Sequence, residues 1–92
     1  MPLFAIVAHD RPDAGTLRVD TRPRHLPYLE AILPQIVVAG PMLSESGAPA
    51  GSIIIADFAD LDAAKDFAAA DPYAQAGLFA QVSVTGYRQV FP

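Results

Sequence analysis

Residues 35–58 read QIVVAGPMLSESGAPAGSIIIADF, and the fold turns on them. Gln35-Ile36-Val37-Val38-Ala39 is an apolar run of strand length, ended by Gly40-Pro41. Ser52-Ile53-Ile54-Ile55-Ala56-Asp57-Phe58 is a second run, rich in β-branched residues that suit a pleated surface. The turn-rich loop Ser44–Gly51 between them predicts a hairpin. Towards the N-terminus, Leu26, Leu29 and Leu33 recur at helical spacing and predict a helix over Arg24–Leu33. Pro23 suits its first position, Pro34 stops it, and Pro27 predicts an irregular start or a kink. Farther out, Leu3–Ala8 is an uninterrupted apolar run, short enough for a buried strand.

Towards the C-terminus, Asp60 is a good N-cap for a helix over Leu61–Ala70, with Leu61, Ala64, Phe67 and Ala68 as its apolar stripe. Asp71-Pro72 ends that helix and fits the start of a short one that Gly77 closes. Gln81–Val90 predicts the last strand, Val82 and Val84 alternating with Ser83 and Thr85. The order is βαββαβ. It implies an α+β, ferredoxin-like sandwich: an antiparallel sheet with its helices on one face, in one domain spanning 1–92.

Composition narrows the function. The chain has 92 residues, no Cys, 52% hydrophobic residues and a net charge of −4. Size scaling gives roughly 5,000 Å² exposed when folded against roughly 14,000 Å² unfolded. A mean hydropathy of +0.30 is high for so small a chain, and a partner subunit is the natural place to hide the excess. Absence of Cys excludes a disulfide scaffold, a zinc ribbon and a thiol nucleophile. Two His sixteen positions apart argue against a dedicated metal site. The acidic balance argues against nucleic acid as a partner. The N-terminal MPLFAIVAHDRPD lacks a basic leader and is too short to span a membrane, which points to a cytoplasmic location.

Both faces of the predicted sheet are apolar. Leu3, Ala5 and Val7 alternate with Phe4, Ile6 and Ala8; Ile36/Val38 alternate with Val37/Ala39, and Ile53/Ile55 with Ile54/Ala56. Leaving roughly 600 Å² of the second face wet would forgo on the order of 15 kcal/mol before association costs. The expected solution is a two-fold homodimer through the uncovered face.

Three residues stand out for chemistry. His25 falls in the first turn of the predicted helix, where the helix end disfavours imidazolium and keeps the ring able to accept a proton. A surface or capping histidine is the plainer alternative. Asp71 caps a helix, yet a carboxylate has acceptor capacity to spare for an imidazole N–H. Arg22 belongs to a basic segment with Arg11, Arg18 and Arg24, set against five Asp between 57 and 71. Surface pairing between the two segments is the plainer reading, and a cationic mouth for a small anion is the functional one. If the helix extends back through Pro23, then Arg18, Arg22 and His25 share a face. His9 reads as a loop residue at a strand end, and Tyr28, Phe58, Phe67, Tyr73 and Phe79 read as core packing.

The chain resembles the YCII-related (YciI-like) family of the dimeric α/β-barrel superfamily. The resemblance is carried by Arg22-Pro23-Arg24-His25-Leu26-Pro27-Tyr28-Leu29, Ala39-Gly40-Pro41-Met42-Leu43, Gly51-Ser52 and Asp71-Pro72-Tyr73-Ala74-Gln75-Ala76-Gly77-Leu78-Phe79. It implies a dimer with a cleft in each protomer containing a His–Asp pair, which maps onto His25 and Asp71. Relatives of this kind include a dehydrochlorinase acting on chlorinated hydroxyquinols. The expectation is therefore a small enzyme of lyase or isomerase type, working without a cofactor on a small anionic or aromatic metabolite. His25 would move the proton, Asp71 orient it and Arg22 attract an anionic group, with Gly40 and Pro41 lining the cleft. The alternative is a non-catalytic binding or accessory module using the same cleft, or a structural dimer whose cleft is vestigial.

Overall fold

The structure, a computed structural model, describes residues 2–92. Four strands and three helices follow the order β1 (Leu3–Asp10), α1 (Leu17–Glu30), β2 (Ile36–Leu43), β3 (Pro49–Asp57), α2 (Leu61–Ala70), α3 (Pro72–Gln75) and β4 (Phe79–Tyr87), with a 3₁₀ turn over Leu33–Gln35. The sheet order is β2-β3-β1-β4 and every neighbouring pair is antiparallel. This is the expected ferredoxin-like α+β fold.

The core lies between the sheet and the helices. Phe4, Ile6, Ile54, Ala56 and Phe58 meet Ala64 and Ala68 of α2, and Leu29, Ile36 and Phe67 pack against them. Asp60 caps α2 as expected, its Oδ1 accepting the Ala63 N–H at 2.8 Å. Leu61, in contrast, is exposed, and Ala63 takes its place beside the core. Gly77, at φ +79°, supplies the left-handed residue that ends α3 and lets the chain turn into β4.

The first helix differs most from expectation. It begins at Leu17, not Arg24, so both Pro23 and Pro27 sit inside it. Each proline withholds an N–H from the carbonyl four residues earlier. Both are exposed, so the freed carbonyls can turn to water and the helix survives. The helix ends at Glu30, and Leu33, beyond it, is 62% exposed rather than in the core.

The strands also shift. Gly40-Pro41 lies within β2 rather than after it, β3 starts at Pro49, and β4 covers Phe79–Tyr87. Pro41 is tolerated because β2 is an edge strand. A register shift leaves Val37 without a partner: Ile36 pairs with Ala56 but Val38 with Ile55. This bulge breaks simple alternation, so Ile36 and Ala39 share the helix-covered face while Val38 lies on the other. On that second face, Leu3, Ala5, Val7, Ile53 and Ile55 form an apolar patch bounded by Ser83 and Thr85 of β4. Total exposed surface is 5766 Å², above the roughly 5,000 Å² that scaling gives for a monomer of this mass.

Gly51 permits the close packing of β3 on β1. A Cβ there would lie 2.5 Å from the Ala8 carbonyl oxygen and would also strike the Met42 methyl, whereas one at Gly86 meets nothing within 4 Å. Gly51→Ala should therefore cost about 1–3 kcal/mol through overpacking, and Gly86→Ala no more than about 0.5 kcal/mol. Urea denaturation of the two variants checks the difference; equal midpoints would contradict it.

Candidate functional site

Helix α1 leans on α3, and its N-terminal half stands clear of the β2–β3 end of the sheet. The helix-facing residues there are small or short: Ala39, Pro41 and Ser52. A cleft of about 650 Å³ remains between helix and sheet. From α1, Arg18, Arg22, His25, Leu26 and Leu29 line it at helical spacing. From the sheet, Ala39, Gly40, Pro41, Ser52 and Ile54 line it, and Tyr73 of α3 closes one end. The volume suits a small organic molecule.

His25 and Asp71 meet in this cleft wall. His25 Nε2 lies 3.2 Å from Asp71 Oδ2, with both side chains almost fully buried. The other carboxylate oxygen, Oδ1, accepts the Tyr73 backbone N–H at 2.8 Å and so starts α3. An ionised carboxylate can only accept, so its partner Nε2 carries the hydrogen and Nδ1 holds the lone pair. Nδ1 makes no hydrogen bond to the described residues and keeps some solvent exposure, in a side chain that lines the cleft. The expected first-turn setting for His25 is corrected, however. With α1 starting at Leu17, the ring is mid-helix, beyond the reach of the helix-end field.

Tyr73 fixes the imidazole from its face. The two rings stack at 3.9 Å between centroids and 22° between planes. The Arg18 guanidinium lies over the same tyrosine ring at 4.6 Å, while its Nε and Nη2 each donate to Asp10 at 2.7 Å. A further Nη2 bond of 3.0 Å reaches Ser52 Oγ. Burial opposes the charge on Arg18, but the hydrogen bonds and charge of Asp10 outweigh it and raise the pKa of the guanidinium. Burial raises that of the Tyr73 phenol, against the pull of Arg18, so the hydroxyl stays protonated at neutral pH. Tyr28 is raised in the same way by burial and by the Asp71 charge; its hydroxyl donates to the Phe67 carbonyl at 2.7 Å.

Arg22, His25, Gly40 and Pro41 line the cleft and Asp71 joins it through His25, whereas Arg11 and Arg24 do not line it. Arg22 lines the cleft through an exposed side chain that makes no ion pair with the described residues. Among the described residues, pairing between the Arg-rich and Asp-rich segments is reduced to the His25–Asp71 contact, since the one arginine ion pair there joins Arg18 to Asp10. His9 is exposed and apart from the cleft. Tyr28, Phe58 and Phe67 pack with one another, and Tyr73 is buried edge-on to Phe79 as expected but also stacks on His25. Arg18 was legible only through its spacing to His25, two helical turns along a helix that had to continue through Pro23. Among the described residues no three His, Asp or Glu side chains gather as metal ligands, and no helix is long and apolar enough to cross a membrane.

The chain is similar to known proteins over nearly its whole length. It is 38% identical to Protein YciI of Escherichia coli O6:H1, with 97% of this chain and 99% of that protein covered. An uncharacterized protein of Haemophilus influenzae is also 38% identical, with 96% and 98% covered. Among solved structures, the 5-chloro-2-hydroxyhydroquinone dehydrochlorinase TftG of Burkholderia phenoliruptrix AC1100, in complex with 2,5-dihydroxybenzoquinone, superposes with a TM-score of 0.86 at 34% identity, covering 94% of this chain and 93% of that one. An antibiotic biosynthesis monooxygenase, 14% identical with a TM-score of 0.56, shares the fold alone. The model of the YCII-related domain matches residues 2–88, and the chain belongs to that family.

Proposed function

We propose that the cleft binds a compact, oxygen-bearing, planar metabolite and that His25 removes a proton from it, in a reaction of lyase or isomerase type. The observation that carries this reading is a buried His–Asp pair in the wall of an apolar cleft, with the second ring nitrogen of His25 unbonded among the described residues. Asp71 holds the Nε2–H and steadies the imidazolium that forms when Nδ1 takes the proton. The Tyr73 ring face adds cation–π support to the same charged state. Leu26, Leu29 and Ile54 pack the apolar body, Gly40 and Pro41 form the sheet-side wall, and Arg22 attracts an anionic oxygen. Both carboxylates nearest the cleft, Asp10 and Asp71, are already engaged by Arg18 and His25, which leaves donors in excess and favours an acceptor-rich ligand. Elimination and isomerisation both begin with such a proton transfer, and similarity to a dehydrochlorinase supports the reaction class.

Self-association belongs to the same proposal. The patch formed by Leu3, Ala5, Val7, Ile53 and Ile55 is left uncovered in one copy, and a second copy related by a two-fold axis presents the matching surface. Each protomer keeps its own cleft on the opposite side of its sheet.

Chloride release from 5-chloro-2-hydroxyhydroquinone tests the chemistry. His25→Ala should lower the rate by at least about 100-fold, within the usual span for loss of a general base. Asp71→Asn should lower it about tenfold or more, while circular dichroism of both variants stays native. Turnover retained by a folded His25→Ala variant would contradict the proposed role. For assembly, sedimentation at micromolar concentration should give a dimer for the wild type and a monomer for Ile55→Lys. A wild-type monomer would overturn the interface.

A further inference from the structure

We propose that Ser52 donates a hydrogen bond to the ligand in the cleft, and that the part-buried Arg18–Asp10 pair is the device that aims it. The inference rests on the cleft reading above and adds a specificity-determining residue to it.

Ser52 is 7% exposed and lies on the helix-covered side of β3, where the next residues on that face, Ile54 and Ala56, are apolar. Its backbone is occupied in the ladder between Ala8 and Pro41, so the hydroxyl is the free polar group at this point of the wall. A hydroxyl has one proton to give and two lone pairs. The Arg18 Nη2 donor occupies one lone pair at 3.0 Å, and a guanidinium cannot accept in return. The serine proton must therefore point elsewhere. No acceptor among the described residues takes it, while the residue lines the cleft. A buried donor of this kind needs water or a ligand oxygen.

Arg18 does not itself serve the ligand as a free cation, because Asp10 neutralises it through two 2.7 Å bonds. Asp10 sits where the β1–β4 register shifts, at the last residue of β1, which turns its carboxylate towards α1 rather than along the sheet. The pair instead holds a flat, forked donor against Ser52 Oγ. A hydroxyl whose oxygen accepts from a cation is a stronger donor in turn. The result is a single directed donor on the sheet wall, with the His25 base on the helix wall. A ligand oxygen on Ser52 would gain from that bond most when negative charge builds on it.

Calorimetric titration with 2,5-dihydroxybenzoquinone tests the assignment. Ser52→Ala should weaken binding about tenfold with little change in melting temperature. Should that variant melt early, Ser52→Cys, which nearly keeps the volume and weakens the donor, carries the same expectation. Arg18→Lys should weaken binding several-fold in the wild type but less than twofold in the Ser52→Ala background, because it acts through the serine. Binding by folded Ser52→Ala within twofold of wild type overturns the donor role alone. Losses that multiply in the double variant overturn the aiming role of Arg18. No binding by the wild type at millimolar concentration overturns the cleft reading, and this inference with it.

Discussion

The two oxygens of the Asp71 carboxylate are divided between two duties, and the rest of the site depends on that division. Oδ1 caps α3 through the Tyr73 N–H, and Oδ2 reaches across to His25 on α1. One buried charge thus starts a helix, sets the position of an aromatic ring and ties two helices together. Burying a carboxylate is costly unless it is fully hydrogen-bonded, and here the cap and the imidazole meet that requirement. An N-cap side chain accepts from the second or third helical residue, here Tyr73, which is also the residue that stacks on His25. Local helix-start chemistry and site construction are the same event.

The cleft follows from where α1 finds its support. Helix α2 lies on the sheet through alanines, which allow close approach, and fills its half of the face. Helix α1 reaches the core only through its C-terminal part, at Leu29. Its preceding turns direct Arg18 and His25 inward, and these cannot be buried without partners. Arg18 finds Asp10 and Ser52, and His25 finds Asp71, while Arg22 stays in solvent. Polar residues on the inner side of a helix hold it off the sheet, and the gap is the cleft. The apolar patch on the reverse of the sheet is a separate problem with a separate solution.

Much of this was legible in the chain itself. The two apolar runs around the hairpin, the flanking helices, the Asp60 cap and the Asp71-Pro72 start are short-range signals that tertiary contacts did not override. The resemblance added the pairing of His25 with Asp71, a contact across 46 positions that no local pattern reveals. Pro23 hid the true start of α1, since a proline inside a helix is ordinarily a stop and only its exposure permits it here. The bulge at Val37 was hidden because register is a property of two strands, and one strand shows only alternation. Tyr73 is core, as its spacing predicts, but an aromatic beside a cap looks the same in sequence whether its ring meets a leucine or an imidazole. Its stack on His25 depends on how α1 and α3 meet.

On the proposed reading, Asp71 fixes the hydrogen of His25 on Nε2 and leaves Nδ1 as the base. Nitrogen-15 NMR of the labelled imidazole, recorded at a pH where the ring is neutral, reads this directly. The account predicts a protonated Nε2 and a bare Nδ1, with that preference lost in Asp71→Asn. A neutral ring carrying its hydrogen on Nδ1, or one averaging freely between the two tautomers in the wild-type protein, would contradict it.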